Sequence, residues 1–238
     1  MKLLKTYGNN KDLINWKGDF LVYAKYVKRI LDFILSLLAL ILLSPIMLIL
    51  AIIIKIDSKG PIFFLQERLG KNGEVFKIIK YRTMIVNAEK SGLKLKGEND
   101  DRITKFGNIL RKTSLDELPQ LLNVLKGQMA LIGPRPPVTY HPHKFEDYPE
   151  NQKMRFTVRP GITDLAQTRV ISNATWDVRI KIDLEYIEKI TIFNDFKILI
   201  DTVVKTIKKE NIYKKQEAIQ NEATLSEEEV KEKINAGR

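Results

Sequence analysis

Two adjacent acids, Asp116 and Glu117, lie within the stretch from Arg102 to Pro137, between cationic segments. Arg111-Lys112 precedes them, and Arg135 follows, set between Pro134 and Pro136. Paired carboxylates ringed by Arg and Lys suit a magnesium-assisted reaction on a phosphate: the acids can ligate the metal and the cations can hold the substrate. Leu115, Leu118, Leu122 and Leu125 recur at helical spacing, which predicts a helix with both acids in its first turn, on a different side from the leucines. A purely structural reading competes with this one. Acids are favoured at helix starts by free N–H groups and the macrodipole, and Ser114-x-x-Glu117 fits a capping box. Pro119 speaks against Ser114 as the cap, because it would remove a backbone bond to Leu115; with Asp116 as cap it falls harmlessly in the first turn.

The remaining composition narrows the chemistry. The chain has 238 residues, enough for one substantial domain with appendages, and a net charge of +11 that calls for an anionic partner. It has no Cys, which excludes disulfides, thiolate metal sites and a Cys nucleophile. Its two histidines, His141 and His143, flank Pro142 with no further ligand candidate and make a poor zinc site. Acid–base or covalent work therefore falls to carboxylates, Lys or hydroxyls. The chain shows no internal repeat, no Walker-type loop and no Gly-rich dinucleotide fingerprint.

The elements that must position the acids begin with a membrane segment. Trp16, Phe20, Tyr23 and Tyr26 interleave with Lys17, Lys25, Lys28 and Arg29, a mixture suited to the headgroup layer. From Phe33 to Ile54 the chain is apolar except for Ser36, Ser44 and Pro45. At about 1.5 Å per residue such a helix could cross a bilayer core of about 30 Å. Both flanks are cationic, with Lys25, Lys28 and Arg29 before and Lys55, Lys59, Arg68 and Lys71 after, so both ends are drawn to the cytoplasmic side. A helix–break–helix hairpin at Ser44-Pro45 resolves that conflict; a kinked span is the alternative.

Downstream, Pro61–Gln66 and Val75–Tyr81 read as strands joined through Asn72-Gly73, ending in the basic run Lys80-Tyr81-Arg82. Ser91 to Asp101 reads as a polar loop, Thr104–Lys112 as a short helix and Met129–Ile132 as a buried strand leading into the rigid turn around Arg135. Phe145–Arg155 reads as helical, and Thr157–Gln167 as strand–turn–strand, with Arg159 held before Pro160-Gly161. Amphipathic helices are expected over Trp176–Ile190 and Asn194–Lys209; core packing is the expected role of the second, with a membrane-surface position as the alternative. Beyond Tyr213 the tail is charged and nearly free of large apolar residues, so it reads as disordered or a partner contact.

Long segments now carry a resemblance. KRILD before an apolar run broken by Ser-Pro, then GPIFFLQERLGKNGEVFKIIKYRTM, RITKFGNILRKTSLDELPQLLNVLKG, LIGPRP and RPGIT resemble the bacterial sugar transferases, the monotopic polyprenol-phosphate phosphoglycosyl transferases, from roughly Tyr26 to Lys209. The resemblance implies an α+β fold: an N-terminal re-entrant membrane helix hairpin, broken at Ser44-Pro45, joined to a small cytoplasmic α/β catalytic domain with a β-hairpin and surface amphipathic helices. The corresponding divisions are an interfacial segment at 1–27, the re-entrant helix at 28–56, the catalytic domain at 57–210 and the tail at 211–238.

It also implies an activity. A phosphosugar moves from a UDP-sugar to undecaprenyl phosphate at the cytoplasmic face of the bacterial inner membrane, starting a surface glycan such as a capsule or exopolysaccharide. Asp116 matches the family's nucleophile and Glu117 its magnesium ligand, with Asp116 beside it. Lys80, Arg82, Arg111, Arg135 and Arg159 fall in motifs expected to hold phosphates. Lys28, Arg29 and Asp32 match the membrane-entry motif. There is one departure: where the family reads glycine, an aromatic and Ala-Gln, then Asn-Gly-Arg, this chain has Asp164-Leu165-Ala166-Gln167, then Thr168-Arg169-Val170-Ile171. The expected Arg falls on Ile171, with Arg169 as its candidate substitute. The implied partners are the two substrates and membrane lipids, with a homodimer left open and no nucleic acid. A membrane-anchored interaction protein without turnover is the competing reading.

Overall fold

A computed structural model describes residues 22–88, 100–169 and 175–206. The expectations for the chain before Val22, for most of the polar loop after Ser91, for Val170-Ile171 and for the tail lie outside the described residues.

The apolar run forms helix α1 (Lys28–Asp57), entered through the π-helical turn Tyr23–Val27. The break expected at Ser44-Pro45 does not divide it: Pro45 lies inside one helix. Pro45 has no N–H to offer the carbonyl of Ile41, but Ser44 Oγ donates to that oxygen at 2.8 Å and relieves the defect. Most of α1 is bare of protein: Ile41, Leu42, Leu48 and Ile49 are all exposed. Two regions of the helix are held. Near its start Arg29 donates to Val124 O at 2.6 Å and Leu125 O at 3.1 Å, and Asp32 accepts the Leu131 N–H at 3.2 Å. Toward its other end Leu50 and Ile54 pack with Tyr81 and Leu110, and the Tyr81 hydroxyl donates to Met47 O at 2.8 Å.

The expected hairpin is present as antiparallel β1 (Phe63–Leu69) and β2 (Val75–Tyr81), with Phe63 opposite Tyr81. Asn72 and Gly73 turn it at φ 55° and 79°, the left-handed region that Asn-Gly tolerates. Next come α2 (Lys105–Thr113), capped by Thr104 through a 3.0 Å bond from the Gly107 N–H, and α3 (Gln120–Leu125).

A second, parallel pair joins β3 (Ala130–Ile132) to β4 (Gly161–Thr163). A Cβ on Gly161 would stand 2.1 Å from Gly133 N, so glycine there is what lets the two proline-bordered turns touch. Of the strand–turn–strand expected over Thr157–Gln167, the first strand does not form, and the second is confined to β4 and gives way to helix α5 (Leu165–Arg169). Asp164 Oδ1 accepts the Gln167 N–H at 2.8 Å, a local cap that overrides the weaker strand preference. The helix expected from Phe145 is confined to α4 (Glu150–Lys153), continued by the 3-10 turn Met154–Phe156.

Helices α6 (Trp176–Glu188) and α7 (residues 192–206) close the domain. Core packing was expected of α7, yet its apolar stripe faces outward, with Phe193 83% and Phe196 63% exposed. The reason is Asp195. This buried acid accepts from Lys28 Nζ at 2.7 Å, the Tyr23 hydroxyl at 2.9 Å and the Tyr186 hydroxyl at 2.8 Å, which rotates α7 so that Asp195 and Ile198 point inward. The same knot ties α1 to the domain. Lys28→Met should therefore destabilise by about 3–5 kcal/mol by leaving a buried carboxylate without its cation, and adding Asp195→Leu should recover much of that loss in thermal unfolding.

Candidate active site

Neither capping register forms at the acid pair. Ser114 sits at φ 60° and ends α2, with no side-chain bond into the following turn. Leu115–Glu117 make a 3-10 turn, and Pro119 stands at the start of α3 without a side-chain cap. Leu115 and Leu118 pack into the cluster of Leu50, Ile54, Tyr81 and Leu110, as the leucine periodicity required. The acids are left facing Lys80. Lys80 Nζ pairs with Glu117 Oε1, and Arg135 Nη2 lies 3.8 Å from the same oxygen.

Each of these cations is placed by something buried behind it. Lys80 is near the end of β2, and Asn123 fastens that strand to α3: its Nδ2 donates to Lys77 O at 2.8 Å and its Oδ1 accepts the Ile79 N–H at 2.9 Å. Asn123 is fully buried. An Asn within the leucine-rich run after the acids was the available signal, and the sequence reading passed over it. Asn123→Ala should cost about 2–4 kcal/mol in chemical or thermal unfolding, since it orphans backbone groups on β2 that water cannot reach.

Arg135 is held by its own backbone. Arg155 Nη2 donates to Arg135 O at 2.9 Å, Arg68 Nη1 to Pro136 O at 3.0 Å, and the Leu69 N–H to Pro137 O at 3.0 Å. Arg155 is itself buried and anchored on Asp183 at 2.6 Å. On the other side of the acids, Arg111 Nε donates to Thr83 Oγ1 at 2.9 Å and its charge acts on Asp116.

The two carboxyls end in different states. Burial pushes Asp116 up to about 6, with Lys80 and Arg111 opposing and the charge of Glu117 adding to the rise. Burial also pushes Glu117 up, but Lys80 and Arg135 outweigh it and hold the group below its ordinary value. One acid is thus a standing anion, and its neighbour is a carboxylate whose charge is poorly compensated. Environments that push paired acids apart are how one site supplies two roles.

Other candidates from the sequence lie elsewhere. Arg82 donates to Lys59 O at 2.8 Å and Ser58 O at 2.6 Å, pinning the chain after α1. Arg159 Nε donates to Gly127 O at 2.8 Å, and Arg169 pairs on the surface with Glu185 at 2.6 Å. Lys28, Arg29 and Asp32 seat α1, while Ser44 and Pro45 lie in its bare middle. Conversely, Arg68 and Gln120 line the recess beside Lys80, Glu117 and Arg135. Alternation along the hairpin could have found Arg68, which shares a face with Lys80.

Among the described residues no group of three or more His, Asp or Glu forms a self-sufficient metal cage. The adjacent Asp116 and Glu117 fit a hard cation that retains waters and completes its shell with phosphate oxygens, as magnesium does.

Known proteins resemble this chain over most of its length. The family described as bacterial sugar transferase matches residues 23–209. A UDP-glucose:undecaprenyl-phosphate glucose-1-phosphate transferase of Caulobacter vibrioides is 40% identical over 191 residues, covering 78% of this chain and 72% of that protein. The Escherichia coli protein of the same description is 39% identical over 186 residues, 76% of this chain but 40% of its own length. A UDP-N-acetylgalactosamine-undecaprenyl-phosphate N-acetylgalactosaminephosphotransferase of Aeromonas hydrophila is 40% identical over 185 residues, 76% of this chain and 44% of its own. The chain thus spans less than half the length of two of these three relatives.

Proposed function

This chain belongs to the bacterial sugar transferase family, and from that premise we propose that it moves a phosphosugar from a UDP-sugar to undecaprenyl phosphate. The observation that carries this reading is the split between two adjacent carboxyls: Glu117 held ionised by Lys80 and Arg135, Asp116 left half-buried and undercompensated.

Asp116 attacks the β-phosphorus of the donor. The bond from that phosphorus to the bridging oxygen breaks, its electron pair leaves with UMP, and the phosphosugar remains on the carboxylate. A phosphate oxygen of the lipid then attacks the same phosphorus, the bond to Asp116 breaks, and the carboxylate is restored. Two steps keep the two anionic substrates from having to share one transition state. Bound magnesium, held by Glu117 with Asp116 beside it, would neutralise charge on the diphosphate as UMP departs. Lys80 and Arg135 hold the diphosphate, and Arg111 adds positive charge next to Asp116. Arg82, Arg159 and Arg169 serve the site only by supporting its frame.

The membrane arrangement has its own support. The helix docks on one domain from Arg29 to the fully buried Ser36 and again over Met47–Ile54, leaving 37–46 between them. That interval reaches roughly 15 Å as a helix, short of a bilayer core of about 30 Å. A helix that bends at Pro45 within the bilayer, entering one leaflet and returning to the cytoplasmic face, would satisfy this, and the exposed stripe of α7 would rest on the same surface. An impermeant label should reach residues before Lys28 and after Lys55 from the same side; opposite sidedness would refute the re-entrant arrangement.

The deciding assay incubates the full chain with undecaprenyl phosphate, magnesium and a panel of UDP-sugars, reading UMP. At least one donor should release UMP in a lipid-phosphate-dependent way. Donor binding without UMP from any sugar would favour a non-catalytic role.

A further inference from the structure

Two residues line the recess beside Glu117 without a part in the mechanism above, Arg68 and Gln120. Phe64 stands opposite Lys80 and Arg68 opposite Phe76, so Arg68 and Lys80 project from the same face of the hairpin. Arg68 Nη1 donates to Pro136 O at 3.0 Å and Nη2 to Gln66 Oε1 at 2.6 Å, while its buried Nε has no partner among the described residues. Gln120 is 2% exposed. Its amide faces Glu117, yet its buried Nε2 makes no well-formed hydrogen bond among the described residues.

The recess therefore gathers three cations, Arg68, Lys80 and Arg135, and the Gln120 amide around Glu117, with Asp116, Asp164 and Asp183 also acting on Arg135. Burial first, and the charge of Arg135 second, bring the Arg68 guanidinium down to about 10. A desolvated guanidinium whose buried Nε has no partner among the described residues, beside a poorly bonded amide, is a standing cost that an anion removes. Asp116 is served from another side. Its cations are Lys80 and Arg111, and its turn packs through Leu115 and Leu118 against the membrane helix. The acid pair thus has one side at Arg111 and a second side between the hairpin and the Arg135 turn.

We propose that Arg68 and Gln120, together with Arg135, form the seat for the diphosphate of the nucleotide donor, separate from the side by which the lipid phosphate arrives. This assignment rests on the transferase reading above. The guanidinium fork suits two oxygens of one phosphate group, and the amide adds a neutral donor to the next.

The test uses the full chain in nanodiscs. UDP is titrated calorimetrically, and initial rates are then taken while UDP-sugar or undecaprenyl phosphate is varied. Arg68→Gln should weaken UDP binding and raise the donor KM by roughly tenfold or more, with the lipid-phosphate KM moving less than about twofold. Gln120→Met should weaken UDP binding without lowering Tm, since Nε2 has no well-formed bond to lose. Should Arg68→Gln fail to fold, Arg68→Lys, which keeps the charge without the fork, and Gln120→Met carry the test. UDP affinity unchanged in all these variants, or a loss that falls on the lipid phosphate instead, overturns the seat. Wild-type protein that binds UDP through Arg68 but releases no UMP would refute the transferase reading and leave the seat standing. UMP release by a wild type whose variants bind UDP normally would refute the seat alone.

Discussion

Asp116→Asn should abolish UMP release, by roughly a thousandfold or more, while making the folded protein more stable. A loss of that size corresponds to at least about 4 kcal/mol of transition-state stabilisation, and removal of a covalent nucleophile readily accounts for it. The gain in stability follows from the electrostatics. Asp116 is raised from 3.8 to about 6 in the folded chain. Folding thus favours its protonated form: the penalty is absent below the unfolded value near 3.8 and fully present above about pH 6. Asparagine resembles the protonated acid and should add about 2 kcal/mol at neutral pH, a gain that fades as pH is lowered through that window. Wild-type turnover should fall as pH drops through about 6, because the nucleophile must be ionised. Intact-mass analysis after donor alone should show a phosphosugar adduct on the wild type and none on the variant. Normal turnover by Asp116→Asn would end the covalent mechanism.

Glu117→Gln should also cripple the reaction, by roughly a hundredfold to a thousandfold, but with the opposite effect on stability. Glu117 is lowered by Lys80 and Arg135 despite its burial. A depressed carboxyl contributes stability above its unfolded value near 4.5, and loses it as pH falls toward the folded value. Neutralising it leaves Lys80 facing no partner of opposite charge at that oxygen, at a cost of about 1–3 kcal/mol at neutral pH. The magnesium concentration needed for half-maximal rate should rise at the same time. Two neighbouring acids both needed for turnover but with opposite effects on Tm would be hard to reconcile with simple helix capping, for which both substitutions should destabilise. A Glu117→Gln protein with unchanged magnesium dependence would remove the proposed metal role.

Much of this was readable in the residues themselves. The apolar run from Phe33 to Ile54 became a helix, though an undivided one, the Asn-Gly hairpin formed, and Leu115 and Leu118 pack as their spacing required, though the acids sit in a 3-10 turn ahead of α3; periodic burial and turn chemistry act over a few neighbouring residues. The long motifs were also enough to point to the family. Other features depended on partners distant in sequence. That Ser114 caps nothing, that α7 turns its phenylalanines outward for the sake of Asp195, and that Arg82 and Arg159 are taken up by backbone carbonyls follow from contacts across the whole chain. Arg68 and Gln120 looked like an ordinary flanking charge and an ordinary helix residue until the hairpin register and the Arg135 turn brought them to one recess. The sequence by itself determined which residues could do the chemistry. Only the tertiary structure decided which carboxyl is raised and which is held down, because burial and the pairing of Lys80 and Arg135 with Glu117 are properties of packing and not of spacing.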